Sequence, residues 1–136
     1  MVTRAGTISN CLLSILSEAA TEAILPCLAE VPLVCGEVLR EGVYFPLSGL
    51  IAEFIFIKDR PSYGGIVGKD GALHLEYLGA PPSQVQASVL APGRAARISA
   101  FDFRDVWARN DAVREMHLGY CQSRLTRARQ RAACNC

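Results

Sequence analysis

Side chains suited to acid–base or metal chemistry are scarce in this 136-residue chain, which holds two histidines, His74 and His117. An ester or amide hydrolase needs a nucleophile, a base within hydrogen-bond reach and an oxyanion site. Neither histidine has such company in the sequence, and no Gly-x-Ser-x-Gly elbow is present. A metal site of two or three histidines and a carboxylate fails similarly, because the strand-like stretch 72–78 offers only His74 and Glu76 on one face. Six cysteines, at positions 11, 27, 35, 121, 134 and 136, lack the spacing of a metal finger or redox pair. They read as small hydrophobes in a reducing compartment, and Cys134 and Cys136 receive no role. No catalytic residue, metal or cofactor is therefore expected. Gly64, Gly65, Gly68 and Gly71 can cradle a phosphate or form turns, and turns are the expectation. Arg124, Arg127, Arg129 and Arg131 can meet DNA phosphates, but the expectation is the solvated face of a helix.

Composition sets the frame that must hold these residues. Hydrophobic residues make up 51% and charged residues 20%, enough apolar surface for one domain that folds without a metal or disulfide. The net charge of +1 points to neither nucleic acid nor membrane. It divides unevenly, with residues 114–136 carrying five arginines and one glutamate. No apolar run approaches the ~18 residues of a membrane span, and the N-terminus lacks the apolar core of a signal peptide. A cytoplasmic protein is expected.

Three zones divide the chain. In the first, Asn10 is placed to cap a turn carrying Leu12, Leu13 and Leu16, and Ser17 to cap a helix that Pro26 ends early. From 31 to 98, short apolar runs alternate with Gly, Pro and Ser punctuation. The strands expected are 31–34, 38–40, 42–46, 50–57, 64–67, 72–78, 84–91 and 93–98. Both faces of 50–57 are largely apolar, so this strand is expected to be covered on both sides. In the third zone Ser99 opens a short helix with Phe103 and Val106 inward, and Asn110 or Asp111 caps a long one to about 133. On that helix Leu118, Cys121, Leu125, Ala128 and Ala132 recur at heptad-like spacing. A second stripe of Val113, Met116 and Tyr120 faces another way, toward the β domain. The expected fold is α+β, mainly β: a double-stranded β-helix (jelly roll) with short N-terminal helices and a long C-terminal dimerisation helix. Residues 1–110 form the β-roll with its helices and 111–136 the helix, within one structural domain.

Several motifs, in this order, resemble the N-terminal sensor and dimerisation part of Crp/Fnr-type bacterial transcription regulators. They are 10–16 with its leucine pair, Gly36-Glu37-Val38-Leu39 with Glu41-Gly42, Val43-Tyr44-Phe45-Pro46 with Ser48-Gly49-Leu50, and 66–71. The closing run 130–135 is similar to the dimer helix of one group in that family. The family has more residues between the Glu-Gly pair and the Tyr-Phe-Pro motif, so a tight turn is expected at Gly42. It continues beyond this helix into a winged helix-turn-helix, which the sequence to Cys136 does not contain. DNA is thus expected to be met only through a module absent from this chain.

The resemblance implies a regulatory domain that senses an effector and homodimerises through Leu118, Cys121, Leu125, Ala128 and Ala132. A ligand-free interaction module is the alternative, and a small cupin-like metalloenzyme a more distant one. Family members that bind cyclic nucleotides carry a Gly-Glu pair opening a short helix, then Arg-Ser-Ala or Arg-Thr-Ala. Here those positions fall on Gly71-Ala72 and Ser83-Gln84-Val85, and no Arg or Lys lies between Lys69 and Arg94. Both charged contacts to a cyclic phosphate are missing, so an uncharged or apolar effector is expected, held near Gly71, Ala72, Leu73, Ser83 and Gln84.

Overall fold

The computed structural model describes residues 2–134, with Tyr63 and residues 128–134 entering by their backbone alone. Three short helices open the chain: α1 (Arg4–Thr7), α2 (Cys11–Ser14) and α3 (Glu18–Ile24). Each begins where a side-chain oxygen accepts from orphan backbone N–H groups: Thr3 for α1, Asn10 for α2, Ser17 for α3. The single turn of α1 is too short to show a periodicity in the sequence. After α3, Pro26 leaves room for one 3-10 turn, Leu25–Cys27.

Among the described residues, seven antiparallel strands make two sheets. β1 (Ala29–Leu33), β7 (Gly93–Ile98) and β3 (Val43–Pro46) form one, in the order β1-β7-β3. β2 (Val38–Leu39), β6 (Val85–Ala91), β4 (Leu50–Ile57) and β5 (Arg60–Val67) form the other, in the order β2-β6-β4-β5. Side-chain alternation then builds two cores. Leu33, Tyr44 and Ala95 meet Leu39, Ile51, Val67, Ala87 and Val89 between the sheets. Val43, Phe45, Ala96 and Ile98 point the other way, into a layer of helices. That layer adds α4 (Ala100–Arg109) and α5 (Asp111–Cys134), which bury Phe103, Val106, Val113 and Met116. Ser99 caps α4, and Asn110 accepts from the Val113 N–H at the start of α5.

The strand buried on both faces is therefore β3, whose four residues are all buried, and not β4. β4 is covered over Ile51–Glu53 but leaves Leu50, Ile55 and Ile57 exposed, because the helical layer packs on the other sheet. The stretch 72–78 is not a strand either. It makes one bridge, Leu73 to Tyr44, and then a 3-10 turn, Leu75–Tyr77, between His74 (φ 65°) and Leu78 (φ 51°). Its apolar residues supply both cores, Leu73 one and Ala72 and Leu75 the other, which a pleated strand of that pattern cannot do. Gly42 does turn sharply, with φ 116° and the Arg97 guanidinium where a Cβ would lie. The turn joins no hairpin, because β2 pairs with β6 and β3 with β7, so the chain crosses between sheets there.

Asn10 ties these layers together. Its Oδ1 accepts from Leu12 and Leu13 N–H, while its Nδ2 donates to the carbonyls of Pro46 on β3 (2.9 Å) and Gly71 (3.0 Å). Asn10→Ala removes a helix cap and orphans two buried carbonyls, an expected loss of roughly 2–4 kcal/mol. Denaturant unfolding measures it, and a loss below about 1 kcal/mol would contradict this role.

Candidate functional site

A charged cluster joins α5 to β4 and to the 3-10 turn Leu75–Tyr77. Glu53 falls on the inward face of β4, in phase with Ile51, and is 3% exposed. Opposite it the β4–β5 register shifts: Glu53 pairs with Gly65 and Phe54 with Tyr63, leaving Gly64 as an extra residue. A Cβ on Gly64 would stand 3.0 Å from the Glu53 carbonyl, a tight approach that a glycine avoids. Glu76 comes from the 3-10 turn Leu75–Tyr77. Arg124 comes from α5, its Nη2 3.3 Å from Glu53 Oε1 and its Nε 3.1 Å from Glu76 Oε2. One helical turn earlier Tyr120 accepts from Arg124 Nη1 (3.2 Å) and lies beneath the guanidinium. The Tyr120 hydroxyl also fills the space above Gly71, where a Cβ would meet it at 2.7 Å.

The electrostatics come from burying two carboxylates with one cation. Burial pushes the Glu53 carboxyl up, and Glu76 adds to this against the opposing pull of Arg124. Burial works against the Arg124 charge, but Glu76, Tyr120 and Glu53 together hold its pKa above the ordinary value. Burial raises the phenols of Tyr77 and Tyr120, with Glu53 and Glu76 adding to the rise at Tyr77. Glu53 Oε2 and Glu76 Oε1 are buried without a hydrogen-bond partner. Cys121, raised by burial and Glu76, is no thiolate.

No family model matches the sequence, and no curated protein matches it. Solved structures do. The Thermus thermophilus catabolite activator protein superposes with a TM-score of 0.70 at 13% identity, over 90% of this chain and 61% of that one. The sensor domain of the transcriptional regulator DNR from Pseudomonas aeruginosa gives 0.65 at 16%, over 90% and 93%. The regulatory domain of Toxoplasma gondii PKA, solved with cAMP, gives 0.60 at 15%, over 78% and 46%. The chain has the fold of Crp/Fnr-type sensor domains and cyclic-nucleotide-binding domains. It spans about 61% of the length of the Thermus thermophilus protein.

Within this fold the expected ligand residues separate. Gly71, Ala72 and Leu73 are buried, under Tyr120 and among the two cores, and offer no surface to a ligand. Ser83 and Gln84 are exposed, and Ser83 lines an open cleft of about 540 Å³ with Val38–Glu41 and Pro81. His74 is fully buried, its Nδ1 3.1 Å from the Gly42 carbonyl, and burial lowers its pKa. His117 accepts from the Trp107 indole at Nδ1 (3.2 Å) and is likewise lowered by burial. His74 and Glu76 share no strand face, and no group of three or more His, Cys, Asp or Glu among the described residues could hold a metal ion.

On α5, Val113 and Met116 are buried and Tyr120 half-buried against the domain, the second stripe as expected. Leu118 (58%) and Leu125 (53%) are exposed, and Cys121 lies between these extremes. The side chains of Ala128, Ala132 and Cys134 lie outside the described residues, as does Cys136. Arg124 corrects the expectation of a solvated arginine face, because it turns inward to the cluster. The sequence carries one signal for this site, a lone carboxylate at Glu53 in an otherwise apolar strand.

A carboxyl whose folded pKa is raised favours folding in its protonated form. The stability Glu53 contributes is therefore complete below its unfolded value near 4.5 and is lost as pH rises through the folded value. Glu53→Gln is expected to match the wild type below that range and to exceed it in stability above. Chemical denaturation across the acid-to-neutral range checks this, and a variant less stable at neutral pH contradicts it.

Proposed function

We propose that this chain is the effector-sensing, homodimerising regulatory domain of a Crp/Fnr-like transcription regulator, its sheets wound as a jelly roll. The observation that carries the reading is Arg124: a residue of the long helix bridges a sheet carboxylate, Glu53, and a carboxylate of the 72–78 segment, Glu76. An effector binding beside Arg124, where Asp70, Glu115, Tyr120 and Ser123 line a cleft with it, changes the charges around it and so biases how α5 sits, by population shift. The elbow before α5 is pinned by one arginine. Arg114 donates to the Trp107 and Ala108 carbonyls at the end of α4 and stacks over the Trp107 ring.

The homodimer uses the outward seam of α5, Leu118, Cys121 and Leu125, continuing over Ala128 and Ala132. Half-exposed leucines at heptad spacing on a helix whose other stripe is already buried support it. DNA is reached through a further module, not through the described residues. The phosphate cassette is degenerate. Its short helical turn is represented by Leu75–Tyr77, but the cationic position falls on Ser83-Gln84-Val85. Arg124 is already held by two carboxylates.

Two outcomes test this. Light scattering at micromolar concentration is expected to show a dimer that Leu125→Asp converts to monomer, because the new charge would be buried against an apolar neighbour in each chain. A monomeric wild type contradicts the dimer. Calorimetric titration with cyclic AMP is expected to show no dissociation constant below about 10 µM, since a missing charge-assisted phosphate bond costs roughly tenfold to a hundredfold. Tighter binding would show the cassette to be functional.

A further inference from the structure

Trp107 and His117 close the corner between the last two helices. The indole on α4 donates to His117 Nδ1 on α5 at 3.2 Å, and the two rings meet edge to face, 6.1 Å apart. An Nδ1 that accepts carries no proton, so this bond fixes His117 as the neutral ring with its hydrogen on Nε2. That Nε2 is buried without a hydrogen-bond partner, on a residue 8% exposed. A second proton would turn the indole and Nδ1 into two facing donors and leave a charge inside the helical layer. Arg114 bonds the Trp107 and Ala108 carbonyls, which do not titrate, so it can serve as a pivot while the rings part.

The groups around His117 include no anion of its own. Trp107 and the Arg114 guanidinium over its ring lie on the α4 side, with Asp111 paired to Arg114. On the turn Leu75–Tyr77, Glu76 favours a charge on the ring but is bound to Arg124. Tyr77 on that turn, and Tyr120 and Cys121 one turn further along α5, are held neutral by burial. Burial outweighs Glu76 and keeps His117 below the ordinary histidine value of 6.5. The stability that the neutral ring contributes is therefore complete above 6.5 and is lost as pH falls toward the folded value.

We infer that the Trp107–His117 pair is a proton-released latch on α5, closed while His117 is neutral and opened when a proton takes Nδ1. Opening frees the part of α5 beyond Arg114 to re-seat, and the new imidazolium competes with Arg124 for Glu76. The latch stands on its own geometry, whereas its bearing on the dimer rests on the regulatory reading above.

Trp107 is the only tryptophan, so indole emission reads the latch directly. Emission and far-ultraviolet circular dichroism are followed on the full chain from neutral to mildly acid pH. The wild type is expected to change its emission with a midpoint below 6.5 at unchanged circular dichroism, as the indole loses its acceptor to an imidazolium. His117→Gln keeps an acceptor, the amide oxygen, that does not titrate, so its emission is expected to stay level over the same range. Trp107→Phe frees Nδ1, and the His117 ring signal in NMR is expected to titrate at higher pH than in the wild type, toward 6.5. A level wild type, an emission change that persists in His117→Gln, or circular dichroism lost before the emission changes would overturn the latch. So would an unshifted His117 titration in Trp107→Phe, a comparison that decides the matter even if His117→Gln does not fold. Light scattering over the same range separates the two readings. A latch that opens with the dimer unaltered contradicts its use in regulation and leaves the latch standing.

Discussion

Arg124 stands between Glu53 and Glu76 with only a quarter of its side chain exposed, and it ties α5 to the sandwich by charge where Val113 and Met116 tie it by apolar packing. Taking these groups out of water costs several kcal/mol per ion, and their mutual attraction offsets it only in good geometry. The geometry is incomplete, since each carboxylate keeps one oxygen without a donor. Removing the lone cation from such a buried group costs on the order of 3–5 kcal/mol, whereas replacing the whole cluster by apolar groups would cost little. An arrangement that is poor at stabilising yet sensitive to any added charge or proton suits a switch better than a staple.

What lets three distant residues meet is the sheet β1-β7-β3. It is apolar on both faces, so it must be covered by the second sheet on one side and by helices on the other. Residues of the 72–78 segment feed both layers, and the segment cannot run as a strand while doing so. It coils instead, through His74 and Leu78 in the left-handed region, and that coil delivers Glu76 to α5. Backbone strain at two non-glycine residues, of order 1–3 kcal/mol each, is held there by packing. Ile55 and Ile57 at the end of β4, and Leu118 and Leu125 on α5, stay exposed outside these layers.

Local chemistry is the legible part of the sequence. Asn10, Ser17, Ser99 and Asn110 cap helices where their spacing to the next apolar turn predicts, since a cap is decided within three residues. Alternation marks most strands to within a few residues at their ends. Three kinds of feature are not legible. His74 and Leu78 take φ values that nothing in their side-chain types announces. Coverage of β3 rather than β4 is set by which sheet the helices pack on, a tertiary fact. Arg124 resembles its neighbours Arg127 and Arg129 in sequence, and its partner Glu53 lies 71 residues away. An ion pair across that separation leaves no periodic trace, although a carboxylate amid Ile, Ala and Phe is a mark of a buried charge seeking a cation.

If α5 and the sandwich are energetically linked through Arg124 and Glu53, a double-mutant cycle with Arg124→Met and Glu53→Gln reads that link directly. Unfolding free energies of the four proteins at neutral pH give the coupling free of each residue's own burial cost. A favourable coupling above about 1 kcal/mol is predicted, as contacting charges in one buried network show. A coupling below about 0.3 kcal/mol, the level of independent sites, would contradict the link.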